Sequence, residues 1–242
     1  MTIVAAMKRA FPAQWKRSIK LAMGFQDMEF RLSVMKRAGF NCSGAIDAGA
    51  FSGEWAQMLQ RVWDAPVLMV EPQTAQQTTL RALVAGGHGK LMLEAVALGA
   101  ASYEAQLLLE ETNSRLSDAK ELSETGKPAQ SVTVETLDQV MARYEDFHPN
   151  LLKLDVQGAE LSALDGATSS LERFEVIVLE VSFIRIGAVP LIEEVIEYMS
   201  RRNFRLYDML PMYYRPLDGA LWQADAIFVN VASPLVAVST WN

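Results

Sequence analysis

Short apolar runs alternate with amphipathic stretches along most of the chain. An apolar run ends at Gly44-Ala45-Ile46-Asp47, and Glu54 to Trp63 follows with helical spacing at Trp55, Met58, Leu59 and Val62. Val67-Leu68-Met69-Val70 then reads as a buried strand, Thr74–Val84 as a helix, and Leu91 to Leu98 as a third strand. Leu151-Leu152-Lys153-Leu154-Asp155 and Val176-Ile177-Val178-Leu179-Glu180 are further buried strands with a helix between them. Another helix follows Pro190, a residue suited to a first helical turn. Such alternation predicts an α/β fold with a mostly parallel sheet and helices on both faces. Phe204–Tyr207 and Ala226–Val231 have no helical pattern between them and predict an antiparallel edge hairpin at the C-terminal end.

Two regions depart from this rhythm. Residues 4–37 read as a helical segment, so the chain divides into an N-terminal arm over 1–40 and one domain over 41–242. Residues 110–130 are polar and charged and are broken by Gly126 and Pro128. They read either as a surface excursion or as a mobile lid beside the substrate.

Charge sharpens this division. Eight basic side chains against two acidic ones give the first 40 residues a net +6, leaving −13 for the rest of a chain whose total is −7. An acidic body argues against nucleic-acid binding, which rests on clustered Lys and Arg. The basic arm is a solvated helix face, with weak peripheral contact to an anionic membrane as the alternative. No apolar run has the length of a spanning helix, and the first residues do not form a signal peptide, so a cytoplasmic protein is expected. Cys42 is the single cysteine and excludes an intrachain disulfide. His88 and His148 read as loop and turn residues, and no His/Cys cluster has zinc spacing.

The strongest chemical signal is Ile46-Asp47-Ala48-Gly49-Ala50-Phe51-Ser52-Gly53-Glu54. A buried strand ends in an acid, passes through a small-residue turn and enters a helix, at the place where open parallel sheets bind ligands. Gly49 permits close backbone approach and Gly53 a tight turn. A carboxylate at Asp47 suits an ammonium group and repels a diphosphate. Glu71, before Pro72 at the end of the second strand, is placed to accept two ribose hydroxyls, a role that dinucleotide enzymes share.

Together with Thr136-Leu137-Asp138, Lys153-Leu154-Asp155-Val156-Gln157-Gly158-Ala159-Glu160, Val178-Leu179-Glu180-Val181-Ser182 and Asp225-Ala226-Ile227-Phe228-Val229, these motifs resemble the FkbM-type methyltransferases over residues 43–231. Phe51 stands where that family usually has asparagine, leaving backbone contacts at this point. The resemblance implies a Rossmann-like, seven-stranded methyltransferase sheet and S-adenosylmethionine as methyl donor. It implies that Asp47, Gly49, Ala50, Phe51 and Gly53 surround the methionine end and that Glu71 and Pro72 lie at the ribose. Ala97, in the stretch Ala95-Val96-Ala97, would approach the adenine, with Asp155 beside the methyl group.

A hydroxyl acceptor must lose a proton, and Asp155 is the first candidate base, with Glu160 and Glu180 behind it. Asp155 and Glu160 as a pair can hold Mg²⁺, but nothing in the sequence demands a metal. Tyr213, Tyr214, Arg215, Trp222 and Gln223 suit a sugar or other polyhydroxylated acceptor, with Arg215 as the substrate contact. The expected activity is O-methylation of a glycan, natural product or related small metabolite. A nicotinamide-dependent oxidoreductase and a noncatalytic module on the same fold are the alternatives.

Overall fold

The computed structural model describes residues 27–237, apart from positions 88, 111, 112 and 186. His88 and most of the basic arm therefore lie outside the described residues. The arm's described part is helix α1, Met28–Arg37, capped by Asp27, whose carboxylate accepts from Phe30 N–H at 2.9 Å. Its basic side chains are engaged. Lys36 donates to the Val62 carbonyl, and Arg31 pairs with Asp208.

The main sheet takes seven strands: β1 (Ala45–Ala48), β2 (Val67–Val70), β3 (Leu91–Glu94), β8 (Leu151–Leu154), β9 (Val176–Ser182), β10 (Phe204–Tyr214) and β11 (Leu221–Asn230). Their order is β10-β11-β9-β8-β1-β2-β3. The five strands from β9 to β3 are parallel, and β11 runs antiparallel to both of its neighbours. The predicted α/β sheet and its edge hairpin are both present. The hairpin strands are longer than the sequence suggested, because bulges in β10 let it follow β11 for most of its length.

Every residue of β1, β2 and β8 is buried, as expected for parallel strands covered on both faces. Alternate residues feed two cores. Ile46, Leu68, Leu152, Ile177 and Leu179 pack under α5 (Leu137–Met141), α6 (Glu160–Asp165) and α7 (Ile192–Ser200). Ala45, Val67, Met69, Leu151 and Val178 pack under α1, α2 (Glu54–Trp63) and α3 (Thr74–Gly86). Asp47, Lys153, Glu180 and Asp225 have the parity of the second set, so four adjacent strands point charged side chains from one face.

Three elements differ from expectation. The strand expected over Leu91–Leu98 is interrupted at Ala95-Val96. β3 stays in the main sheet, whereas β4 (Ala97–Leu98) pairs with β7 (Ala129–Glu135). The polar excursion belongs to a second sheet of order β4-β7-β5-β6, in which β5 is Tyr103–Leu108 and β6 is Arg115–Ser117. Its core is small, Ala97, Leu107, Val132 and Val134, and its charges pair locally: Glu110 meets Arg115 at 3.2 Å and Lys127 at 2.7 Å. Helix α7 begins after Pro190, with Leu191 at its N-cap. The Pro190 carbonyl accepts from Ser182 N–H at 2.9 Å, so the proline serves the strand rather than the helical turn. No helix among the described residues is long and apolar enough to cross a membrane.

The chain crosses the strand ends at close quarters. Gly49 has φ +75°, and a Cβ there would lie 1.8 Å from the Asp155 carbonyl oxygen. G49A is therefore expected to lose more than ~2 kcal/mol of stability. G126A, where φ is +61° but no atom lies within 4 Å, isolates the backbone strain and loses less. Urea unfolding followed by circular dichroism measures both.

Candidate active site

The strand order reverses between β1 and β8, and a cleft of about 1100 Å³ opens at the carboxyl ends of these strands. One end is built from β2, the β1–α2 turn and the second sheet. Glu71 is 3% exposed. Its Oε2 accepts from Phe51 N–H and its Oε1 from Gln73 N–H, both at 2.8 Å. Burial raises its pKa, and these two amides pull it back. Gly49, Ala50, Phe51, Pro72 and Ala97 also line the cleft. Phe51 itself has φ 46°, so the turn holds a non-glycine residue in left-handed geometry. Gly53, at φ 76°, caps α2, and a Cβ there would press on Leu83 at 2.7 Å.

Lys153 occupies the middle. Its Nζ lies 3.3 Å from Asp47 Oδ1, 3.3 Å from Asp155 Oδ2 and 3.5 Å from the Gly49 carbonyl. Burial alone would lower its pKa, but Asp155, Asp47 and Asp225 outweigh that and hold the ammonium charged. Asp47 is fully buried and does not line the cleft. Neither of its oxygens accepts a hydrogen bond, and burial pushes its pKa up against the pull of Lys153. A direct contact between Asp47 and a ligand ammonium, as expected from the sequence, is replaced by a contact with Lys153.

The other end is acidic. Asp155 follows β8, with its backbone N–H on the Ala48 carbonyl at 3.0 Å. Gln157 Nε2 bridges Asp155 Oδ1 and Glu180 Oε2, 2.9 Å from each. Asp225 stands opposite Glu180 in the β9–β11 ladder. Burial and then Asp155, Glu160 and Asp225 push Glu180 up to about 9. Burial and Asp155 push Asp225 up to about 7, against Lys153. Tyr213, Tyr214, Trp222 and Gln223 complete this wall.

Two expected site residues stand elsewhere. Glu160 is fully buried and absent from the cleft wall. Its carboxylate accepts from Val156 N–H at 3.0 Å and from Gly158 N–H at 3.0 and 3.2 Å, so it fastens the loop carrying Gln157. Arg215 is tied to Asp218, three residues on, through Nε–Oδ1 at 3.1 Å and Nη2–Oδ2 at 2.5 Å, and it stays outside the cleft. Asp138 likewise accepts from Ser169 and Ser170 away from the cleft. His148 is exposed, and Cys42 is buried with its thiol pushed up to about 12 by burial. Sequence reasoning gave no role to Lys153, Gln157 or Asp225. The signals were a lysine inside a buried run and an aspartate inside the last apolar strand. Among the described residues, no group of three or more His, Cys, Asp or Glu side chains is arranged to hold a metal ion.

A carboxyl whose pKa is raised binds its proton more tightly in the folded state. Glu180 therefore contributes stability that is fully present below its ordinary value of 4.5 and is lost as pH rises through about 9. E180Q, which cannot ionise, is expected to show a smaller fall in urea midpoint between these pH values than the parent protein.

The model of the methyltransferase FkbM domain family matches residues 47–206, more than half of the chain. A search of curated proteins finds no match. Similar solved structures include magnesium protoporphyrin IX methyltransferase of Synechocystis PCC 6803 with bound S-adenosylmethionine, at 9% identity, TM-score 0.48, and coverage of 83% of this chain and 75% of that one. A precorrin-6y C5,15-methyltransferase of Geobacter metallireducens aligns at 10% identity and TM-score 0.46, covering 83% and 87%. TrmK of M. capricolum, in complex with its natural cofactor product S-adenosyl-homocysteine, aligns at 8% identity and TM-score 0.44, covering 85% and 70%. By its family match, which spans both the Asp47–Gly53 turn and the Lys153–Glu160 loop, the chain belongs to the methyltransferase FkbM domain family.

Proposed function

We propose that the cleft binds S-adenosylmethionine and that the protein transfers its methyl group to a hydroxyl of a small polyhydroxylated acceptor. Glu71 carries this reading. Its buried carboxylate lines the cleft with one backbone amide on each oxygen, and about half of its four acceptor positions remain for a ribose diol. The rest of that end fits the same group. Without a Cβ, Gly49 lets the β1–α2 turn pass directly against the Asp155 backbone at the cleft's edge, and Val96, Ala97 and Leu98 offer a small apolar wall to a purine. The methionine end would lie over the Gly49–Phe51 turn, whose backbone and Lys153 supply polar partners. Asp47 acts through Lys153 as a positioning residue. When bound, the sulfonium supplies an electrophilic methyl whose carbon–sulfur bond breaks with its electron pair left on sulfur.

The chain's own residues orient the acceptor and take its proton. Asp155 is the base. Lys153 and Gln157 fix its two oxygens, and a lone pair on the cleft side receives the hydroxyl proton as the new oxygen–methyl bond forms. The second sheet, through Leu107, Ser114 and Leu116, closes the donor end against water.

Calorimetric titration is expected to give micromolar-range binding of S-adenosylmethionine and none of NADH. E71A, still folded, weakens that binding by about tenfold or more, because it removes charge-assisted hydrogen bonds. Binding of NADH in place of S-adenosylmethionine would overturn the donor assignment. With an acceptor found by labelled-methyl transfer, D155N is expected to lower kcat by about 10²-fold or more while leaving donor affinity within about threefold.

A further inference from the structure

The far end of the cleft holds more negative charge than the described cations neutralise. Asp155, Glu180 and Asp225 face one cation there, Lys153, which Asp47 already claims from below. Glu180 and Asp225 are direct partners across an antiparallel ladder, a placement that is unfavourable for like charges. This crowding, with burial, raises the pKa of both, and a cation placed between them would lower it again. Among the described residues no other cation enters, because Arg215 is bound to Asp218 outside the cleft and Arg61, which lines it from α2, is paired with Glu29 at 3.0 Å.

A second observation marks this end as a ligand site. Gln223 is 9% exposed, lines the cleft, and its side-chain amide has no hydrogen-bond partner. The amide therefore faces the cleft with its hydrogen-bonding capacity open to a ligand. Gln223 lies two residues from Asp225 on the same face of β11 and opposite Tyr213 of β10. Amide, carboxyls and ring thus converge on one small region.

We propose that this region is the acceptor subsite and that it takes an acceptor bearing an ammonium group near its hydroxyls, of the amino-sugar or amino-alcohol class. Glu180 and Asp225 receive the ammonium, the Gln223 amide pairs with a hydroxyl, and the Tyr213 ring covers an apolar face. Acceptors carrying phosphate, sulfate or carboxylate are rejected by the same carboxyls. This rests on the donor occupying the Glu71 end.

The test is calorimetric titration of the full chain, saturated with S-adenosylhomocysteine, with glucosamine, glucose and glucuronate. Glucosamine is expected to bind about tenfold more tightly than glucose, and glucuronate most weakly. E180Q and D225N should each erase the preference for the amine while S-adenosylhomocysteine affinity stays unchanged, which also shows that the variants fold. Equal binding of the three sugars, a preference for glucuronate, or no sugar binding by a protein that takes S-adenosylhomocysteine would overturn the acceptor class alone. Failure to bind S-adenosylhomocysteine would overturn the donor reading together with it.

Discussion

Lys153 and Asp47 are register partners on adjacent parallel strands, and their charged groups meet at 3.3 Å inside the protein. An enclosed carboxylate with no hydrogen bond is expensive to keep, and only the neighbouring ammonium makes it tolerable. That pairing fixes more than one contact. A one-residue slip of β8 against β1 would turn Lys153 to the opposite face, leaving Asp47 alone and pointing a lysine into the core under α5 and α6. The register it enforces sets Asp155 just beyond the end of β8, with its amide on the Ala48 carbonyl. The same arrangement leaves Gly49 no space for a side chain. The β1–α2 turn and the Asp155 loop thus share one boundary, and the cleft begins there.

From that boundary the two ends of the cleft are made by different means. At the Glu71 end the backbone is the main instrument: amides of Phe51 and Gln73 hold the carboxylate, and small residues keep the walls close. At the far end the side chains of β9, β10 and β11 decide what can enter. Glu160 supports this division without touching the cleft. By taking three backbone contacts from Val156 and Gly158, it holds a loop whose Gln157 lies at φ 54° and whose Gly158 has room for no side chain beside Ala188.

The sequence made the sheet readable because parallel strands buried on both faces must be short apolar runs, and β1, β2, β8 and β9 are such runs. Asp47, Glu71 and Asp155 stood out for a related reason, as acids at the ends of such runs; Glu71 and Asp155 line the cleft, whereas Asp47 is enclosed beneath it. What failed had short-range or long-range causes that a pattern does not carry. Arg215 looked available until its partner proved to be Asp218, three residues away. Glu160 looked catalytic, but its partners are amides of its own loop. The break of the third strand depends on Val134 of β7, 37 residues after Ala97, which captures Ala97 for another sheet. Lys153 gave a signal, a charge inside an apolar run, but its meaning depended on which carboxylates the topology would bring beside it.

The charge count at the centre then explains why the acidic wall and the buried pair are linked. Asp47 has no access to solvent or ligand, so its claim on Lys153 is permanent. Asp155 shares that ammonium from the open side, and the ammonium's pull on Glu180 and Asp225 is outweighed by burial, which together with Asp155 raises the pKa of both. A cation entering the cleft would therefore meet groups whose own fold leaves them unneutralised. An anion would meet a lysine already shared between two carboxylates. The buried pair in β1 and β8 cannot change without disturbing the register of the sheet. The acidic wall sits on β9 and the edge hairpin, where side chains can vary with the backbone ladder intact. The far wall of the cleft is thus free to diverge while the central strands hold the Glu71 end fixed.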